Sequence, residues 1–199
     1  MGHEQPRLFD EPPPTPALPE GFFLRNDFLT ATDEAALVRR LEALTFKPFE
    51  FHGFLGKRRV AYFGWRYGFG DGGLQPTEPM PEFLLPLRKA AAAFAGVEAE
   101  ALPHVLITEY APGAGIGWHR DRPEFGTVIG VSLLSPCLFR LRRRAGSTWR
   151  RLSLNLAPRS AYVLSGEART TWQHSIPGVD SLRYSLTFRT LSAGRGDPP

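Results

Sequence analysis

Two residues apart in the stretch GWHRDRPEFG, residues 117–126, stand His119 and Asp121. On a strand, residues i and i+2 project to the same face, so the imidazole and the carboxylate can reach one point while Arg120 points elsewhere. His174, in TTWQHSIPG just ahead of the final strand-like run, offers a third donor. Two imidazoles and a carboxylate on one face of a metal ion leave three coordination positions open for reactants. A His-x-Asp pair by itself is more often a hydrogen-bonded surface pair, and the later arginines shift that balance. Arg183 and Arg189, in RYSLTFR, share one strand face because their separation is even. A guanidinium turned inward is costly unless an anion meets it. Two of them beside a metal suit a dicarboxylate, one gripping the far carboxylate bidentately and the other acting near the chelating end. Satisfaction of these arginines by Asp or by backbone carbonyls stays open as the alternative.

Those side chains need a β scaffold, and the second half of the chain provides one. From residue 104 onward, HVLITEY, GTVIGVSLL, CLFRLRRR, WRRLSLNL, SAYVLSG and LRYSLTFRTL are short β-type runs separated by Gly, Pro and Ser clusters. The expected fold is mainly β, a double-stranded β-helix or jelly roll, with N-terminal helices supporting one face. One helix is read in LTATDEAALVRRLEAL, with Thr30 or Thr32 as N-cap and Ala36, Leu37, Leu41 and Leu44 at helical spacing. A second is read in EFLLPLRKAAAAFAG, with Pro86 in its first turn and Gly96 as its stop. The expected organisation is a Pro-rich acidic arm at 1–20, helices and a lid at 21–99, the jelly-roll core at 100–191 and a frayed tail at 192–199.

Composition narrows the class. A chain of 199 residues with 42% apolar and 22% charged residues can bury one real core. Its first 20 residues hold six prolines and one arginine against four acids, net −3, so the rest of the molecule carries +7 of the overall +4. That excess is mostly arginine and suits a polyanion. A single cysteine, Cys137, excludes an internal disulfide and fits a reducing cytosol, so a cytoplasmic location is expected. No apolar run is long enough for a membrane span, and a monomer is the default expectation.

The donor set is the one used by non-haem Fe(II) oxygenases, and the dicarboxylate that fits it is 2-oxoglutarate. Taken together, EYAPGAGIGWHRD, WQHSI and RYSLTFR resemble the AlkB family of Fe(II)/2-oxoglutarate dioxygenases, over approximately residues 100–190. The resemblance implies that His119, Asp121 and His174 ligate Fe(II), that Arg183 and Arg189 hold 2-oxoglutarate, and that Tyr110 touches that cosubstrate. Where the family has asparagine, this chain has Thr108 and Ser185, hydroxyls of shorter reach that still hydrogen-bond a carboxylate. It also implies O2 as oxidant and, as substrate, an N-alkylated base in DNA or RNA, single-stranded or flipped into the pocket and demethylated with release of formaldehyde, succinate and CO2.

For that base, RRVAYFGWRYGFG would form a lid interleaving Tyr62, Phe63, Trp65 and Tyr67 with Arg58, Arg59 and Arg66. Trp65 is the expected pocket-facing ring, with Tyr62 and Arg66 beside it and at least half of these aromatics in the core. Trp118 either lines the cavity or packs outward, and Glu124 contacts substrate. RLRRRAGSTWRRL reads as a hairpin carrying Arg140, Arg142, Arg143, Arg144, Arg150 and Arg151, equally suited to phosphate contact and to a merely solvated edge. His52 and His104 have no partner pattern and are read as structural. Competing functions are an oxygenase of protein side chains, tRNA wobble positions or small molecules, and a non-catalytic basic nucleic-acid-binding module.

Overall fold

The structure, a computed structural model, describes residues 17–51, 54–67 and 73–192. Most of the expected N-terminal arm, the tail from 193, His52, Gly68 and Gly70 lie outside the described residues.

Helix α1 (Ala31–Glu42) starts where Thr30 accepts a hydrogen bond from the Asp33 amide at 3.1 Å; Asp33 and Glu34 lie in its first turn and Arg39 and Arg40 in its last. Thr30 is therefore the cap of the two candidates. Helix α2 (Leu85–Ala95) has a proline at its start and ends at Gly96, as the spacing predicts. Val38, Leu41, Leu84, Leu87, Ala91 and Ala92 from this helical layer are buried against Val105, Ile107, Ile129, Val131, Leu186 and Phe188 of a sheet. Each fully buried Leu, Ile or Phe here contributes roughly 1.5–3 kcal/mol.

That sheet has seven strands: β1 (Phe22–Arg25), β11 (Ala161–Leu164), β8 (Phe125–Leu133), β13 (Arg183–Leu191), β6 (His104–Tyr110), β3 (Phe54–Phe63) and β2 (Lys47–Phe51), in that spatial order. A second sheet runs β10 (Thr148–Leu156), β9 (Cys137–Ala145), β12 (Gln173–Ile176), β7 (Ile116–His119). The facing sides bury Phe139, Leu141, Leu152, Leu156 and Ile176 against Phe22, Val128, Tyr162 and Leu164. Two packed antiparallel sheets with helices on one outer face make the jelly roll that the strand pattern predicts.

Several elements differ from the sequence reading. Strand β1 adds to the edge of the large sheet through β11, though its four residues, FFLR, carry too little pattern to be read alone. The short helix α3 (Gly166–Thr170) was equally illegible. His174, ahead of the last strand as expected, lies on a short strand of its own, β12, rather than in a connection. Strand β7 ends at His119, so Asp121 sits two residues past the strand rather than on it.

The segment read as a lid is split. Strand β3 pairs with β6 inside the main sheet. Gly64 then turns the chain with φ 79°, and a Cβ there would stand 1.8 Å from the Pro103 carbonyl oxygen, so only glycine fits. Beyond it, β4 (Trp65–Tyr67) pairs with β5 (Leu74–Pro76) in a separate two-stranded ribbon.

Candidate active site

The inner face of the large sheet is polar where the apolar pattern should continue. Strands β6 and β13 are antiparallel neighbours in a register that sets Tyr110 opposite Arg183, Thr108 opposite Ser185 and His104 opposite Arg189. Even spacing puts all six on one side. This face and the small sheet enclose a cavity of about 650 Å³, within the size range of small-molecule sites.

Across the cavity, β7 and β12 place His119 directly opposite His174, with ring centroids 4.2 Å apart. Asp121 Oδ2 lies 3.6 Å from His174 Nε2. The three residues singled out by type and spacing thus meet at one place. His119 Nδ1 is 2.8 Å from the Gly117 carbonyl, which can only accept, so Nδ1 carries the proton and Nε2 keeps its lone pair. Burial pushes both imidazoles down, His174 to about 3, so both are neutral at physiological pH. Burial alone would raise Asp121, but Arg189, His174 and His119 override it and hold the carboxyl well below the usual range. Neutral imidazoles and an ionised carboxylate are the protonation states that a divalent cation requires of its ligands. The set is not a closed cage: among the described residues no group of three His, Cys, Asp or Glu side chains has its donors already gathered for a metal. Asp121 Oδ1 is instead held by Arg189, through Nε at 2.8 Å and Nη2 at 2.6 Å.

Because Asp121 lies past the end of β7, other groups must fix its loop. Arg169 of α3 donates from Nε to the Gly126 carbonyl at 2.9 Å and from Nη2 to the carbonyls of Arg122 at 2.5 Å and Phe125 at 2.6 Å. Arg120 Nη1 donates back to the Thr170 carbonyl at 3.1 Å. These four hydrogen bonds tie residues 120–126 to α3 and carry no signal in the sequence.

Arg183 has no exposed surface. Its Nε donates to Ser132 Oγ at 3.2 Å, and Nη1 and Nη2, both buried, have no partner. The Tyr110 ring lies 5.2 Å from its Cζ. A buried cation with two empty donor groups is tolerable only if an anion comes to it. Thr108, Ser185 and Tyr110 surround the approach with hydroxyls that can donate to a carboxylate, so this end fits 2-oxoglutarate and the opposite end fits Fe(II). Tyr162, unnoticed in the sequence, also lines the cavity. It lies over Gly130, where a Cβ would stand 2.2 Å from its ring, so any larger residue would push the phenol away. Burial pushes that phenol up, which keeps it a donor.

His104 is the main correction to the sequence reading. It lines the cavity rather than serving the scaffold alone. Nδ1 donates to the Trp65 carbonyl at 2.6 Å, and Nε2 accepts from Arg189 Nη1 at 3.0 Å. Arg189 is therefore clamped between His104 and Asp121. A signal existed, since His104 precedes Tyr110 by the same six residues that separate Arg183 from Arg189. Burial, then Arg189, lowers the His104 pKa to about 3, below the ordinary 6.5. The unfolded chain takes up this proton first on acidification, so stability fully present above pH 6.5 is lost as pH falls toward 3. Denaturant unfolding of the cofactor-free protein should weaken by up to about 1.4 kcal/mol per pH unit per such histidine between these limits. His104→Gln should flatten that slope, and an unchanged slope would refute the assignment.

The remaining expected substrate residues divide. Tyr62 and Trp118 line the cavity, together with Arg58, whose guanidinium lies 3.7 Å from the Phe49 ring centroid. Trp65 is not among the lining residues, because the Gly64 turn sends β4 into its own ribbon; only its carbonyl serves the site, through His104. Arg66 is exposed on that ribbon and reaches Gln75 at 3.4 Å. Glu124 does not line the cavity either; its Oε2 is buried without a partner. Arg143 is drawn away to Glu167, at 2.5 Å, and to the Trp172 ring.

A cavity between two sheets that keeps a carboxylate ionised beside two neutral imidazoles on one wall, with a buried guanidinium unpaired at both terminal nitrogens behind the other, places this molecule among the jelly-roll oxygenases. The chain belongs to the 2OG-Fe(II) oxygenase superfamily, which it matches over residues 66–189, and within it is AlkB-like, a dioxygenase using Fe(II), 2-oxoglutarate and O2. It is 30% identical over 165 residues to the Bos taurus protein named alpha-ketoglutarate-dependent dioxygenase alkB homolog 7, mitochondrial, covering 80% of this chain and 68% of that protein. It is 29% identical over 196 residues to the Arabidopsis thaliana protein named Alkylated DNA repair protein ALKBH8 homolog, covering 85% of this chain and 55% of that protein. The solved structure of OsALKBH1 shares the fold, with a TM-score of 0.67 at 19% identity, covering 87% of this chain and 100% of that one.

Proposed function

We propose that this chain hydroxylates an alkyl group on a nucleic-acid base, with His119, Asp121 and His174 holding Fe(II) and Arg183 gripping the far carboxylate of 2-oxoglutarate. The carrying observation is the buried Arg183 guanidinium, unpaired at Nη1 and Nη2, on the same strand face as the arginine that holds Asp121. When bound, Fe(II), 2-oxoglutarate and O2 supply oxidative decarboxylation of the keto acid coupled to hydroxylation of a C–H bond; a hydroxylated N-methyl group then leaves as formaldehyde.

The protein's own residues supply position and exclusion. Gly117 fixes the His119 ring, Arg189 fixes Asp121, and His104 fixes Arg189. Tyr110, Tyr162, Thr108 and Ser185 line the approach to Arg183 and orient the cosubstrate through their hydroxyls. Tyr62 presents a ring surface at the cavity against which a planar base stacks, and Arg58 adds positive charge at the same cavity. Support for a nucleic-acid substrate comes also from the Arabidopsis relative, whose name refers to repair of alkylated DNA.

Succinate release in the presence of Fe(II) and 2-oxoglutarate tests this reading. Methylated single-stranded RNA or DNA should stimulate it and release formaldehyde, whereas methylated peptides should not. Stimulation by peptides alone would overturn the nucleic-acid assignment and leave the oxygenase class standing.

A further inference from the structure

Side chains alternate across a strand, so the register of β9 and β10 sorts the hairpin arginines into two sets. Arg143 and Arg150 are cross-strand partners, and both lie over the Trp172 ring, at 5.3 and 5.7 Å. Arg143 is also neutralised by Glu167. Arg140, Arg142 and Arg144 occupy the opposite face, where Arg151 stands opposite Arg142 and Trp149 opposite Arg144. Strand β12 brings only neutral partners to that outer face: Gln173 accepts from Arg142 Nε at 2.7 Å, and Ser175 Oγ from Arg140 Nε at 3.0 Å. Among the described residues no carboxylate pairs with Arg140, Arg142, Arg144 or Arg151.

Two tryptophans are interleaved with these charges. The Arg142 guanidinium lies 4.4 Å from the Trp118 ring and 4.2 Å from the Trp149 ring, and Arg144 lies 4.7 Å from Trp149. A row of Trp118, Arg142, Trp149 and Arg144 thus crosses the small sheet from the cavity, which Trp118 lines, toward the hairpin tip.

We propose that this outer face is the docking surface for the single strand of nucleic acid whose reactive base enters the cavity, an inference that rests on the functional reading above. Four arginines unopposed by acids complement a phosphodiester backbone, and ring and guanidinium planes accept unstacked bases whatever their sequence. Trp118 joins the face to the cavity, so one strand can occupy both. An acidic protein would use the charge and leave the interleaved rings without a role. A second copy of this chain would set like charge against like.

Fluorescence anisotropy with labelled single-stranded RNA and DNA tests the surface, using Arg142→Gln/Arg144→Gln/Arg151→Gln. The triple variant should bind at least tenfold more weakly. Its plot of log affinity against log salt should be shallower by about 2, since each single-strand phosphate contact contributes about 0.7. Trp149→Leu should weaken binding and Trp149→Phe restore it. The thermal shift on adding Mn(II) and 2-oxoglutarate should match the wild type in the triple variant, showing an intact cavity. Unchanged oligonucleotide affinity and slope in that variant, with wild-type turnover still stimulated by the oligonucleotide, would overturn the docking surface and leave the functional reading in place. A wild-type protein that neither binds nor responds to oligonucleotides would overturn both. Saturable binding of poly-glutamate through the same arginines, without oligonucleotide binding, would give the face to an acidic protein and overturn the proposal.

Discussion

Arg183→Met should raise the melting temperature of the cofactor-free protein and abolish its response to 2-oxoglutarate. Arginine at this position is fully buried, bonded only to Ser132, with both terminal nitrogens unpaired. Replacing buried charge by an apolar side chain of similar volume is often stabilising by about 1–4 kcal/mol. In a chain of this size each kcal/mol moves the melting temperature by about 2–4 °C. Wild type should instead gain its stability from the ligand, about 2.7 kcal/mol at a hundredfold excess over Kd. Loss of a bidentate, charge-assisted contact worth roughly 1.5–3 kcal/mol per hydrogen bond should weaken 2-oxoglutarate binding by at least about a hundredfold. Scanning fluorimetry with and without 2-oxoglutarate and Mn(II) reads both effects. A methionine variant that melts earlier and still responds to 2-oxoglutarate would show that Arg183 serves the scaffold.

Asp121→Ala and His174→Ala should abolish turnover equally and differ in stability. The Asp121 and Arg189 side chains are 6% and 9% exposed and joined at 2.6 Å. Removing the carboxylate strands a buried guanidinium, a change that costs about 3–5 kcal/mol. His174 is neutral when folded, so its loss leaves a cavity without an unpaired charge and should cost about half as much. The double variant Asp121→Ala/Arg189→Met should recover most of the stability and none of the turnover. Urea unfolding with parallel succinate assays measures both quantities. Equal destabilisation by the two single variants would contradict the clamp in which Arg189 holds Asp121.

The legible part of this site was the part written in strand parity. Arg183 and Arg189 follow from residue type and even spacing, because a sheet converts sequence parity directly into shared faces. Thr108 and Tyr110 were legible through the motif resemblance, and the His119–His174 pairing rests on the register of β7 and β12, which no spacing announces. His104 obeyed the same parity and was still misread, since an isolated histidine announces nothing until its cross-strand partner, Arg189, is known. Trp65 was misplaced for a different reason. Composition marks an aromatic as a candidate for stacking, but the turn at Gly64 decides which sheet it joins. Arg143 shows the converse failure: within a run of three arginines, type is uninformative, and only the hairpin register separates the one facing Glu167 from its neighbours. The clamp of Arg169 on the Asp121 loop was beyond reach, because backbone carbonyls 43 to 47 residues away leave no trace in side-chain pattern.

Among the described residues β13 is the last strand in sequence order, yet it lies in the middle of the seven-stranded sheet, between β8 and β6. A nascent chain that has emerged only as far as residue 182 owns both flanks of that layer and lacks the strip joining them. Closure of the sheet must wait for residues 183–191, a non-local pairing of the kind that folds slowly. Arg183 and Arg189 both arrive on that one strand, so translation cut short before it should yield chaperone clients or aggregates and no partly assembled pocket.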